Sequence, residues 1–554
     1  MLKTTHRQVT TLELSRFTAV EVIRETSAAD KAAPRVSPLQ ALVPKGGRYG
    51  YDLIAHVGLQ TFVKGRTLQD VAQELQPLKI PFSSLYDVQL KFLFYLGHLH
   101  QQRAKTLRDY LCQRGSVTWL IDSTLEPGTP LFFGIQDADD GLMLGAWKIA
   151  TENIDAIVPC LKQASEAFGR PQRVLHDLSD AMDTACEQAW DGMRHEVCHF
   201  HLVRDIGTDL LDKPQAALRA LVQQLQLQPR LKEQRNGQTD WLRQHVEDPT
   251  SLAQLLSGGE VTVSPAVLGR EVLLAFHQWL LDYAGDGKRQ GYPFDPYLLY
   301  FHRRVVRASA AVQRLLGDVR VQNEAPMVLK NFARMLREYL GNPKVSEAVQ
   351  QYEEAFALLG RLRDVLRLSA QGKTPLTAHY LLAAEDAAMV RPLLEQLRQG
   401  CRTASVTATA AWTRHQNQVV ADHLDRYWER LGTEEGPQGE RTTNGLEQAW
   451  GTSKRMCRKR HGRKKLTTEF QSLPAEVMLV GNLEQPRYVE RVLDGDIGQL
   501  SKHLAEAGRT AGAWTAWRQH QQPLNTARLS RRLLRRENLI DSFVSVYQDR
   551  CHGD

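Results

Sequence analysis

Three carboxylates stand where metal-dependent phosphoryl chemistry would need them. Asp122 closes the apolar run VTWLID in LIDST, Asp177 closes RVLHD, and Glu447 lies in TTNGLEQAW. A carboxylate at the end of an apolar strand is costly to bury unless it is paired or metal-bound. A turn aspartate is common at such a place, and one glutamate on a helix carries no information, so the set has to carry the argument. Three carboxylates converging on one point repel one another and stay ionised only with cations between them. Hard oxygen ligands with room for water and phosphate favour Mg²⁺. Two such ions, roughly 3.5–4 Å apart, activate a nucleophilic oxygen and stabilise a leaving 3′ oxygen in an in-line displacement. That is the chemistry of nucleases and of DNA strand transfer.

Other residues flank this set. Cys198 and His201 form C-x-x-H in EVCHFHLVRDI. They are two ligands of a zinc site that needs four, and no second Cys/His pair lies nearby, which favours a structural or substrate-positioning role. Thr443 or Asn444 is placed to cap the helix whose first turn holds Glu447, and Asp180 to cap the helix after Asp177. The run KRMCRKRHGRKK supplies Lys454, Arg455, Arg458, Lys459, Arg460, Arg463, Lys464 and Lys465. Such a run is often only a solvated face. Here Lys454 falls about two turns after Glu447 on the same helical face, so a phosphate backbone led to Glu447 would pass along it.

The elements that must position these residues follow from periodicity. VTWLID, PLFFGIQDA and LMLGAWKIA are β-rich runs, the last two separated by the turn Asp139–Gly141. NIDAIVPCLKQASEAFG reads as a helix, RVLHD as a fourth strand, SDAMDTACEQAW as a helix and HEVC as a fifth strand. Three linked strands followed by βαβ crossovers predict a mixed sheet with helices on its faces, the first and fourth strands side by side. Residues 1–48 read as an irregular arm, with SAADKAAPRVSP as linker. Within 49–112, TLQDVAQELQP, capped by Thr67, and a helix capped by Ser83 or Ser84 match a helix-turn-helix, a plain helical hairpin being the alternative. The stretch 202–438 has helical periodicity and no fixed repeat. The chain thus divides into the arm, the helix-turn-helix region, a first core part at 113–201, an all-helical insertion at 202–438, a closing core part at 439–480 with the basic run, and a tail at 481–554 with the basic stretch LSRRLLRREN.

Bulk properties set the outer bounds. The chain has 554 residues and a formal net charge of +7, which permits nucleic-acid binding without requiring it. Its 7 cysteines are scattered and form no C-x-x-C pair, which fits a reducing compartment. No apolar run reaches transmembrane length and no signal peptide is evident, so the expectation is a cytoplasmic, nucleoid-associated protein without membrane contact.

LIDST, RVLHD and TTNGLE, with a short and then a long interval between their acidic residues, resemble the three acidic motifs of DDE transposases. The C-x-x-H after the fifth strand, the long helical insertion and T-N-x-x-E before a basic stretch are similar to Mutator-like transposases and related bacterial insertion-sequence transposases. The resemblance covers roughly 49–480. It implies a ribonuclease H-like core, two Mg²⁺ or Mn²⁺ ions held by Asp122, Asp177 and Glu447, binding of double-stranded DNA at transposon ends and target, and a homodimer or larger synaptic complex. Residues 1–48 contain no cysteine, so the zinc-binding element common near the N-terminus of such relatives is not expected here. Two other readings share these residues: a transposase-derived DNA-binding factor without catalysis, and a ribonuclease H-fold nuclease that cuts without joining.

Overall fold

The structure is a computed structural model that describes residues 3–23, 37–115, 117–246, 251–260, 264–317, 327–368, 384–432 and 440–520. Most of the expected linker and the whole basic stretch 529–538 lie outside the described residues.

The chain opens on a hairpin rather than an irregular arm. β1 (Lys3–Thr10) pairs antiparallel with β2 (Arg16–Ile23), from Lys3 opposite Ile23 to Thr10 opposite Arg16. Its threonines and valines suit a pleated ribbon, but only one face is covered: Val9, Ala19 and Val43 make a small core. β1 is polar apart from Val9, while β2 turns Phe17 and Ala19 to the small core and leaves Val20 and Val22 exposed.

Four helices follow, at Tyr51–Gly58, Leu68–Glu74, Phe82–Gln102 and Ala104–Arg114. Thr67 caps the second as expected, in a reciprocal capping box with Asp70. The third starts at Phe82 with Pro81 at its N-cap, so neither Ser83 nor Ser84 is the cap. Leu85, Val88, Leu90, Phe92, Leu93, Leu96 and Leu99 of this helix are buried, whereas Phe82, Ser83 and Asp87 in its first turns are exposed.

Five further strands form one sheet: β3 (Thr118–Thr124), β4 (Leu131–Asp137), β5 (Met143–Ile149), β6 (Arg173–His176) and β7 (Arg194–Val197), in the order β5-β4-β3-β6-β7. β3–β4 and β4–β5 are antiparallel, while β6–β7 is parallel, so the sheet is mixed. A single cation braces the acidic turn after β4. Arg114 pairs with Asp137, Asp139 and Asp140, and Gly141 takes the positive φ of 67° that closes the turn.

The chain divides into two compact units. The first holds residues 1–172, 184–193 and 446–554; of the residues expected to form a separate tail, the described ones from 481 to 520 pack within it, the helix Leu500–Thr510 against Tyr51–Gly58 and Phe82–Gln102. The second holds 173–183 and 194–445. From His199 to Tyr427 every described element is a helix, as the 3.6-residue period predicts, with the loop 287–296 between two of them. The helix His199–Gln224 lies along Pro343–Val365, and Ala384–Thr407 along Ala411–Tyr427. Their core includes Leu210, Phe301, Phe332, Tyr339, Tyr352 and Leu359. Gly207 permits one close approach: a Cβ there would stand 2.7 Å from the Pro293 ring.

Candidate active site

In the first unit Asp122 lies within β3, two residues before its end, and is 8% exposed. Its Oδ1 accepts the Ser123 amide at 2.8 Å. Its Oδ2 accepts the Trp450 indole N–H at 3.2 Å. Trp450 can come this close because Gly134, opposite Asp122 in the ladder, has no side chain. A Cβ on Gly134 would lie 2.6 Å from the indole ring. Trp450 belongs to the helix Asn444–His461, whose first turn carries the part-buried Glu447. Residues three apart on a helix share a face, so the indole that touches Asp122 brings Glu447 to the same side of β3. Asn444 is the first residue of this helix.

Polar contacts from the basic run hold the same helix in place. Lys454 donates to the Leu125 carbonyl at 3.0 Å and lies 3.5 Å from Glu126, which Arg458 also approaches at 3.6 Å. Lys459 reaches the Lys64 carbonyl at 3.5 Å. Arg460 departs from the expected DNA contact: it is 6% exposed, donates to Gln89 Oε1 at 2.8 Å and stands 4.4 Å from the Phe62 ring centre. A guanidinium so enclosed cannot reach a phosphate. Arg455, Arg458, Lys459, Arg463, Lys464 and Lys465 are exposed.

Asp177 lies in the second unit, directly after β6, and is part-buried. Its Oδ1 accepts the Ser179 amide at 2.9 Å, and its carbonyl accepts from His176 Nδ1 at 2.6 Å. The structure therefore links Asp122 with Glu447 through Trp450, and sets Asp177 on the turn between β6 and the helix Asp180–Ala189.

The C-x-x-H pair has a visible task in the second unit. Cys198 Sγ accepts the Thr443 amide at 3.3 Å, and His201 Nδ1 lies 3.4 Å from the Thr443 hydroxyl. The His199 amide donates to the Arg441 carbonyl at 3.0 Å. Glu440 Oε1 accepts the Arg441 and Thr442 amides. The start of the helical insertion thus grips the segment at its end, one residue before Asn444. Burial keeps the neighbouring His199 ring neutral, pushing it down to about 3.

Sequence reasoning misses two features. Trp450 enters it only as part of a motif, and an indole N–H gives no sign in sequence of which acceptor it finds. His176, Asp183 and His195 form a second polar cluster, and Arg430 pairs with Asp183. The visible signal is a histidine on each of two parallel strands with an aspartate in the helix between.

Compared with protein families and with curated proteins, the chain matches none.

Proposed function

We propose that this chain is a DNA transposase of the DDE type, a metal-dependent strand-transfer enzyme on a ribonuclease H-like core. The observation that carries the reading is the buried Asp122 on β3, hydrogen-bonded by Trp450 from the helix that bears Glu447. Hydrogen bonds to both oxygens of this buried carboxylate fix its direction. The donor set Asp122, Asp177 and Glu447 is all carboxylate oxygen, which fits Mg²⁺ or Mn²⁺. When bound, two such ions supply the activation of a water or 3′-hydroxyl oxygen and the stabilisation of the leaving oxygen.

The chain's own residues do the rest. Trp450 orients Asp122, and Gly134 leaves room for it. Cys198 and His201 fix Thr443 and so the entry to the Glu447 helix. Arg455, Arg458, Lys459, Arg463, Lys464 and Lys465 offer charge to a DNA backbone, with Lys454 bracing the helix beneath them. Two ends brought together call for a dimer or larger complex.

Incubation with Mg²⁺ and duplex DNA carrying the sequences that flank the chain's own coding region tests this. Cleaved and joined products are expected, both lost in Asp122→Asn, Asp177→Asn and Glu447→Gln while DNA binding persists. Cleavage without joining would identify a nuclease, and binding without products a non-catalytic factor.

A further inference from the structure

We infer that His176, Asp183 and His195 form a binding site for one zinc-class divalent cation, separate from the carboxylate set. All three belong to the second unit. His176 ends β6 and His195 is the second residue of β7; in the parallel ladder His176 stands opposite Val197 and Val174 opposite His195. The two histidines are therefore diagonal neighbours on one face of the strand pair. Asp183 faces them from the first turn of the helix between the strands.

Three distances define the site. His176 Nε2 and His195 Nδ1 are 3.2 Å apart, His176 Nε2 and Asp183 Oδ1 3.3 Å, and His195 Nδ1 and Asp183 Oδ1 3.5 Å. An ion about 2.0–2.1 Å from each of three tetrahedral ligands spaces them by about 3.3–3.4 Å. The three atoms already stand at the corners of such a face.

The surrounding bonds orient the ligand atoms. His176 Nδ1 donates to the Asp177 carbonyl at 2.6 Å, so Nε2 carries the lone pair and points at the cluster. A ring N–H bonded to a carbonyl is the usual support of a metal-bound histidine. Asp183 is 7% exposed, and its Oδ1 accepts no hydrogen bond although it is buried. A buried carboxylate oxygen left without a donor is costly, and a cation would satisfy it. Arg430 pairs with the other oxygen, Oδ2, which balances part of the carboxylate charge and leaves Oδ1 for the ion. Two imidazole nitrogens and one carboxylate favour Zn²⁺ over Mg²⁺. Three protein ligands leave a fourth position for water. The ion would pin β6, β7 and the helix between them, and with them the backbone of Asp177.

Chelator-stripped full-length protein titrated with Co²⁺ provides the test, read by the visible absorption of tetrahedral Co²⁺ and by its displacement with Zn²⁺. One equivalent is expected, unaffected by a large excess of Mg²⁺, abolished in His195→Ala and weakened at least about tenfold in Asp183→Asn. Zn²⁺ should also raise the melting temperature of the unsubstituted protein and not of His195→Ala. Cys198→Ala should keep the equivalent, which separates this site from the C-x-x-H pair. Circular dichroism at room temperature establishes that each variant is folded; should Asp183→Asn unfold, the part-exposed His195→Ala decides alone. Absence of stoichiometric Co²⁺ binding, or binding unchanged in His195→Ala, would overturn the site. None of these readouts depends on strand transfer.

Discussion

At the scale of single residues, two side chains of the helix Asn444–His461 show how position decides role. Trp450 and Arg460 both turn inward, the first to Asp122 and the second to Gln89 and Phe62. Arg460 sits among eight basic residues in Lys454–Lys465, yet its burial makes it part of the core. Arg460→Ala should lower stability by roughly 1–3 kcal/mol, because it leaves the Gln89 amide without its partner in a buried place. Arg455→Ala, on the exposed face, should stay within about 0.5 kcal/mol. Urea unfolding of the two variants measures this; equal, small effects would show that Arg460 holds nothing.

At the scale of elements, His100 joins three of them. It lies in the helix Phe82–Gln102, donates through Nε2 to the Leu144 carbonyl of β5 at 2.9 Å, and meets the hydroxyl of Tyr488, in the helix Pro486–Val492, at 3.2 Å. Burial pushes its pKa down from 6.5 to about 4. The unfolded chain takes up a proton as the pH falls through about 6.5, and the folded chain does not until about 4. The contribution of His100 to stability is therefore complete above pH 6.5 and is lost as the pH falls towards 4, by an amount on the order of 3 kcal/mol. His100→Gln, which keeps an N–H donor and does not titrate, should show a shallower fall of stability between pH 6.5 and 4. Unfolding midpoints across that range measure it, and parallel curves for the two proteins would refute it. The grip of Cys198 and His201 on Thr443 is of the same kind, since a contact between elements distant in sequence sets where a helix begins.

For the whole molecule, charge is the relevant quantity. The net charge of +7 is modest, so the DNA binding proposed above has to rest on where the exposed cations stand. Replacing Arg455, Arg458 and Lys459 together by Gln should weaken binding to all sequences about equally. For every cation–phosphate pair removed, the salt dependence should become shallower by roughly one unit. Any preference for particular ends should survive, because phosphate recognition carries no direct sequence information. Competition binding across salt concentrations measures the slope. An unchanged slope would mean that this face does not meet DNA.

Much of this architecture follows from sequence alone, because local pattern and local energy agree there. The runs at Thr118–Thr124, Leu131–Asp137 and Met143–Ile149 are apolar and bounded by turns. The helical period from His199 to Tyr427 reflects one continuous buried stripe after another. Asp122, Asp177 and Glu447 are each ordinary alone and stand out only as an ordered set, two beside strand ends and one in the first turn of a helix. The polar hairpin Lys3–Ile23 is hidden, since pairing with a partner strand rather than apolar alternation stabilises it. Burial of most of the helix Phe82–Gln102 is hidden too, since it follows from packing against Tyr51–Gly58 and Leu500–Thr510, which lie far away in the chain. Tertiary structure alone decides that Gly134 admits Trp450, that Arg460 turns inward, and that His176, Asp183 and His195 meet. The first two depend on residues far apart in the chain reaching within a few ångströms, which no local pattern records; the third depends on how the strand–helix–strand unit from Arg173 to Val197 closes on itself.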